Sequence, residues 1–215
     1  MISLRAEYIL EKALAAAHQS TISADEDKLS AHEIELLNEQ WVQSYVGDAI
    51  SRHLRHIHGE DHGRPFVTYE TSVAWLEHFF GQPRRPGRIA GKLSDRQRFD
   101  ITVWPADRAP IGLIEIKNEP IMSAYSRTAD SEKLVGALRR WKSLRWGMFL
   151  FCARNNTSKE GGAKKEHLHA MIDKTFQAVQ EAVHRSARTS LKISEVVQDD
   201  ECQMMWAGII IRRKS

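Results

Sequence analysis

The chain has 215 residues, 42% hydrophobic and 27% charged, with a formal net charge of +3. That is ordinary globular composition, enough for one full core with room for an appended piece, and it excludes a disulfide framework, while the mild basicity suits nucleic acid without being diagnostic of it. Cys152 and Cys202 form no CxxC pair, and no run approaches the ~20 apolar residues that cross a bilayer, so the expectation is a membrane-free protein of the reducing cytoplasm.

Leu4–Ala17 reads as a first helix, with Leu4, Tyr8, Ala15 and the pairs Ile9/Leu10 and Ala13/Leu14 forming a stripe. Glu7, Glu11 and Lys12 interrupt its apolar residues, so it reads as amphipathic and not as a targeting segment. Ser20–Lys28 is a polar connection, and residues 1–29 form a helical arm on this reading. Ser30-Ala-His-Glu33 has the form of a capping box and predicts a second helix from about Ala31 to Ile57, stopped by Gly59. Its apolar positions are Ile34, Leu37, Trp41, Tyr45, Ala49 and Ile50; Glu39 lies in line with Val46 and Ile50, at the margin of the buried arc. His53, His56, His58 and His62 cluster after it, but no Cys or H-x-x-x-H partner completes a metal-binding set.

Phe66–Thr71 should be the first strand and carries Glu70; the residues through Phe80 either extend it or form a short helix. Gly81–Arg98 is a loop by its Gly and Pro content. It holds Arg84, Arg85, Arg88, Lys92, Arg96 and Arg98 against the single acid Asp95, which suits it to a phosphate backbone.

Arg98–Pro120 reads as two strands joined by a turn. Ile101 and Val103 alternate with Asp100, Thr102 and Trp104, while Ile114 and Ile116 alternate with Leu113, Glu115 and Lys117. A hairpin centred on Asp107 and Arg108 sets Asp100 opposite Glu115, where Cβ atoms lie roughly 4.5–5.5 Å apart and like charges repel. Lys117 points to the same face as Glu115, and Ile101, Val103, Ile114 and Ile116 make the core face. A hard divalent cation resolves the repulsion, since magnesium is commonly held by one or two carboxylates plus water and phosphate oxygens. The plainer alternative is a surface ion pair of Glu115 with Lys117 on an edge hairpin; the apolar Ile114 and Ile116 favour a central strand instead.

Ser131–Trp146 reads as a helix with Leu134, Leu138, Trp141 and Leu144 in one arc and Arg139, Arg140, Lys142 and Arg145 beside them; Gly147 ends it, and Met148–Ala153 is a buried strand. Beyond a Lys-rich loop, Glu166–Arg188 is a helix, Leu191–Val197 and Met204–Ile211 are strands about an Asp199-Asp200-Glu201 turn, and Arg212-Arg213-Lys214 is a basic, fraying end. Gly161-Gly162 lacks the G-K-[ST] of a phosphate-binding loop.

Asp100, a turn, and then Glu115-Ile116-Lys117 resembles the D…(D/E)-x-K core of the PD-(D/E)XK nuclease superfamily, the restriction-endonuclease-like fold, with Phe99 where that pattern often has Pro. The order of elements over Ala31–Ala153 matches as well. The resemblance implies one α/β nuclease-like domain over residues 1–215, with a mixed central sheet flanked by helices. Its core, 31–153, runs α-β-β-β-α-β, and a helix and strands follow over 154–215. It implies a magnesium-dependent endonuclease, with manganese as substitute, acting on DNA before RNA. Asp100 and Glu115 would be metal ligands, with the Ile116 carbonyl as an additional oxygen. Lys117 would position the attacking water, and Glu39 or Glu70 would serve as the accessory carboxylate. A homodimer, through the N-terminal helix, fits the habits of that superfamily. The alternative function is a non-catalytic nucleic-acid- or protein-binding domain that keeps the fold.

Overall fold

A strand whose side chains are apolar on both faces needs a neighbour on each edge and a helical layer above and below. β4 (Trp146–Asn156), buried from Trp146 to Ala153, has all four. β3 (Gly112–Lys117) runs parallel along one edge, from Gly112 beside Trp146 to Lys117 beside Phe151; β6 (Cys202–Arg213) runs antiparallel along the other. With β1 (Phe66–Ser72), β2 (Arg98–Trp104) and β5 (Ala187–Gln198), the described residues form a six-stranded mixed sheet in the order β1-β2-β3-β4-β6-β5. The computed structural model describes residues 5–26, 39–58, 65–80, 93–105, 109–118, 124–156, 165–198 and 202–214.

Helices α1 (Ala6–Glu26) and α2 (Glu39–His58) cover one face, burying Leu10, Ala13, Val46 and Ile50 against Ile101, Val103, Ile114 and Ile116. Helices α3 (Val73–Phe79), α4 (Ala124–Arg140) and α5 (Lys165–Val183) belong to the other face, where Leu76, Leu134, Leu138, Leu168 and Ile172 meet Leu113, Phe149 and Phe151. The protein is thus an α/β structure with helices on both sides of a mixed sheet. No described helix is long and apolar enough to cross a membrane.

Several elements differ from their predicted extents, each for a local reason. α1 continues through Ser20 and Thr21 to Glu26 because these hydroxyls are buried and bond back to the Ala17 carbonyl, and Thr21 also accepts the Trp206 indole N–H at 3.0 Å. Its apolar stripe faces this chain's own sheet through Ile9, Leu10, Ala13 and Ala17. Residues 73–79 are helical, with the Ser72 hydroxyl capping them by accepting from the Trp75 N–H at 3.1 Å. α4 occupies 124–140, not 131–146, because Trp146 and Gly147 are claimed by pairing to β3, and the Arg145 N–H donates to the Ile111 carbonyl at 2.8 Å. α5 stops at Val183, so Arg188 lies in β5 beside Arg212. The basic end is tied down: Arg213 donates to the carbonyls of Lys142 and Leu144, both at 2.7 Å, and Arg212 pairs with Glu7 at 2.5 Å. The predicted capping box, Gly59, the turn centred on Asp107 and Arg108, and the Asp199-Asp200-Glu201 turn lie outside the described residues.

Pairing of β2 with β3 has the predicted register, with Ile101 opposite Ile114 and Val103 opposite Gly112. The ladder stops there. Phe99 belongs to the α4 side of the sheet although Ile101, two residues on, belongs to the α1/α2 side, so the pleat slips at Asp100. On the neighbouring strand, ladder partners flank the same level, Tyr69 with Ile101 and Thr71 with Phe99. Glu70, between them, has φ 50°, a left-handed backbone rare for a residue with a Cβ.

Candidate active site

The slip in β2 turns the Asp100 side chain toward β3. Its Oδ2 accepts the Ile116 amide N–H at 2.6 Å, a bond of side chain to backbone where the ladder has ended. Of the Ile116 peptide groups, the structure therefore ties the N–H to the site; its carbonyl has no such described tie. Glu115 is 2% exposed. Its Oε2 takes the Lys133 ammonium of α4 at 2.6 Å, and its Oε1 is buried without a hydrogen-bond partner among the described residues.

Lys117, at the end of β3, reaches between the two helical layers. Its Nζ lies 2.8 and 3.1 Å from the two oxygens of Glu39 on α2 and 3.9 Å from Oδ2 of Asp130 on α4. Lys133 Nζ lies 3.6 Å from the other Asp130 oxygen and donates to the Arg98 carbonyl at 2.8 Å. The result is a chain of alternating charge: Glu39, Lys117, Asp130, Lys133 and Glu115, with Asp100 beside it. Four carboxylates face two ammoniums in this group.

Burial sets the titration of the carboxyls. It pushes Asp100 up to about 6 against the opposing pull of the Ile116 N–H and Lys133, with Glu39 adding to the rise. Glu115 stands well above the usual carboxylate range, first through burial and then through the Asp100 charge. For Lys117, burial works against the ammonium, but the Glu39 hydrogen bond and the charges of Glu39, Asp130 and Asp100 outweigh it, and its pKa is raised. Lys117 is therefore a fixed positive charge at neutral pH, poorly suited to take up a proton.

The structure brings together Asp100, Glu115, Lys117 and Glu39 from three separate elements. Glu70 stands one strand further out; Gln43 links it to the group by donating to Glu70 Oε1 at 3.4 Å and to the Asp100 carbonyl. Arg96 and Arg98 are exposed on the approach to β2, while Arg84, Arg85, Arg88 and Lys92 lie outside the described residues. Lys133, Asp130 and Gln43 are additions that the sequence reading did not single out. Asp130, Lys133 and the buried Ala137 follow i, i+3, i+7 spacing on α4, and Glu39, Gln43 and Val46 do the same at i, i+4, i+7 on α2. Polar residues in line with a buried stripe were thus the available signal.

Two carboxylates with hard oxygen donors, one of them carrying an orphaned buried oxygen, fit a magnesium-type ion, which needs few protein ligands. Among the described residues no cluster of three or more His, Cys, Asp or Glu side chains is arranged to hold a metal ion. Comparison of the chain with family models, with curated proteins and with solved structures finds no match.

Proposed function

We propose that this protein is a metal-dependent nuclease of the PD-(D/E)XK type, hydrolysing phosphodiester bonds, DNA before RNA. The observation that carries the reading is the pair of half-buried Asp100 and buried Glu115 where β2 parts from β3, with Lys117 alongside. The order is α2, β1, α3, β2, β3, α4, β4, so the short helix α3 interrupts the expected α-β-β-β-α-β run; the remaining elements and the mixed sheet support the restriction-endonuclease-like assignment.

On this reading Asp100 and Glu115 hold the ion, and Ile116 contributes by fixing Asp100 through its N–H. A bound magnesium would supply positive charge to the scissile phosphate and a water of lowered pKa. Lys117 stays charged and holds the attacking water and the phosphate oxygens by electrostatics. Glu39 orients Lys117; Glu70 belongs to the outer wall. Asp130 and Lys133 position Lys117 and Glu115 in turn. Exposed Arg96 and Arg98 and the basic stretch from Arg84 to Lys92 would follow the phosphate backbone.

The test is cleavage of labelled single- and double-stranded DNA and RNA by the wild type, Asp100→Asn and Lys117→Ala, with magnesium, with manganese and with EDTA. The expected result is metal-dependent cleavage by the wild type that both substitutions reduce by orders of magnitude. If all three proteins are equally inert on every substrate, the non-catalytic binding domain replaces the enzyme.

A further inference from the structure

We propose that the cleft on the outer edge of β1, which has no strand neighbour there among the described residues, is a base-binding slot, and that the substrate is accordingly a strand with at least one unstacked base, single-stranded or locally opened, and not an intact duplex. The inference rests on the nuclease reading and names its substrate. Four large hydrophobic side chains remain exposed on this edge, and all are aromatic: Phe66, Tyr69, Trp75 and Phe79, each 44–46% exposed. Tyr69 and Trp75 line the cleft, while Phe66, Trp75 and Phe79 pack together around Trp104. Trp75 and Phe79 stack with ring centroids 5.5 Å apart, and both meet the buried Trp104 edge-on at 5.4 and 5.1 Å. Phe66 stacks on Trp104 at 5.7 Å, and the Trp104 indole N–H is fixed by the Thr68 hydroxyl at 2.9 Å. The Ser72 cap fixes the backbone of Trp75.

Residues 68–72 and Trp75 line a cleft of about 270 Å³, room for one small ring system and not for a helix. Preorganised aromatic faces beside polar groups are what unpaired bases stack on. The cleft also adjoins the carboxylates. Glu70, in its wall, is joined through Gln43 to Asp100, and β1 lies one strand spacing, about 4.8 Å, from the strand that carries Asp100. A nucleotide with its base in the cleft would carry its phosphate toward the carboxylate pair, with exposed Arg98, the ladder partner of Ser72, beside it. The Glu70 carboxylate accepts hydrogen bonds and favours a base with an exocyclic amine, so cytosine is preferred to thymine.

The test uses the full chain in EDTA, where binding is read without cleavage. Fluorescence anisotropy of short labelled oligo-deoxycytidine, oligo-deoxythymidine and a duplex of equal length gives the affinities. The single strands should bind roughly tenfold or more tighter than the duplex, because the duplex must be opened first. Oligo-deoxycytidine should lead oligo-deoxythymidine. Trp75→Leu should weaken single-strand binding about tenfold, and Trp75→Phe should keep it, since phenylalanine still presents a ring. Equal affinity for duplex and single strand, or a Trp75→Leu protein of unchanged thermal stability that binds like the wild type, overturns the slot. Should Trp75→Leu not fold, the Trp75→Phe protein and the wild-type strand preference carry the test. The outcomes separate the two claims. Metal-dependent cleavage without strand preference leaves the nuclease standing and removes the slot, whereas Trp75-dependent single-strand binding without cleavage under any metal does the reverse. Binding of neither oligonucleotide removes the slot.

Discussion

Replacing Asp100 by asparagine should make the metal-free protein more stable at neutral pH while abolishing its response to metal. Burial raises this carboxyl from 3.8 to about 6. Between those values the folded chain holds a proton that the unfolded chain has released, so stability falls as pH rises. The favourable contribution is complete below about pH 4 and lost above about pH 6. A shift of about two units at 1.36 kcal/mol each is at most about 3 kcal/mol. Asparagine carries no charge to desolvate, and its carbonyl can still accept the Ile116 N–H. Asp100→Asn should therefore match the wild type near pH 4 and exceed it by up to about 3 kcal/mol at pH 7, or roughly 6–12 °C in Tm for a chain of this size. Thermal unfolding of both proteins in EDTA from pH 4 to pH 8 reads this directly. Adding manganese should then stabilise the wild type by about 2.7 kcal/mol at a hundredfold excess over Kd, read as a higher Tm, and leave the Tm of Asp100→Asn unmoved. Parallel stability curves for the two proteins across pH 4–7 would refute the argument that this carboxyl is ionised at a cost.

Lys117→Ala should cost no more than about 1 kcal/mol of stability, because its pair with Glu39 is partly exposed, and should keep the manganese-induced Tm rise while losing cleavage; loss of the Tm response would instead make Lys117 part of the metal site. Gly112→Ala should destabilise the fold by about 1–3 kcal/mol in chemical denaturation, since a Cβ there would come within 2.2 Å of the buried Trp146 ring. Leu10→Ala should cost about 2–5 kcal/mol, as expected if α1 belongs to the main core; a change near zero would show that the helix is dispensable.

The parts of the molecule that could be read in advance are those governed by local period. Ile101, Val103, Ile114 and Ile116 alternate cleanly, and this fixed both the core face and the register of β2 with β3. Glu39 could be placed because it continues the line of Val46 and Ile50. What failed was whatever long-range pairing decides. Trp146 and Gly147 suit a helix end as well as a strand start, and only β3, more than thirty residues earlier, selects the strand. The same holds for Ser20 and Thr21, whose polarity suggested a loop until Trp206 supplied a partner from the far end of the chain. Lys133 illustrates the limit for the site. Its spacing from the buried Ala137 turns it toward the sheet, but its importance comes from the buried Glu115 that β3 sets against α4. The slip at Asp100 was likewise invisible, because strict alternation through the strand predicts the opposite orientation for Phe99.

Glu70 offers a way to weigh side chain against backbone at a single position. Its φ of 50° costs a residue with a Cβ about 1–2 kcal/mol, which glycine would not incur. Glycine in turn brings an unfolded-state entropy penalty of about 0.5–1 kcal/mol. Glu70→Gly should consequently leave stability unchanged or raise it by about 1 kcal/mol. A chain that places a carboxylate in such a conformation forgoes a neutral or favourable substitution, and strain of this kind is found where a side chain is needed for something other than folding. Glycine and asparagine would both relax the strand while removing the charge from the wall of the cleft. The difference between them in strand preference, at matched stability, would isolate what the carboxylate contributes.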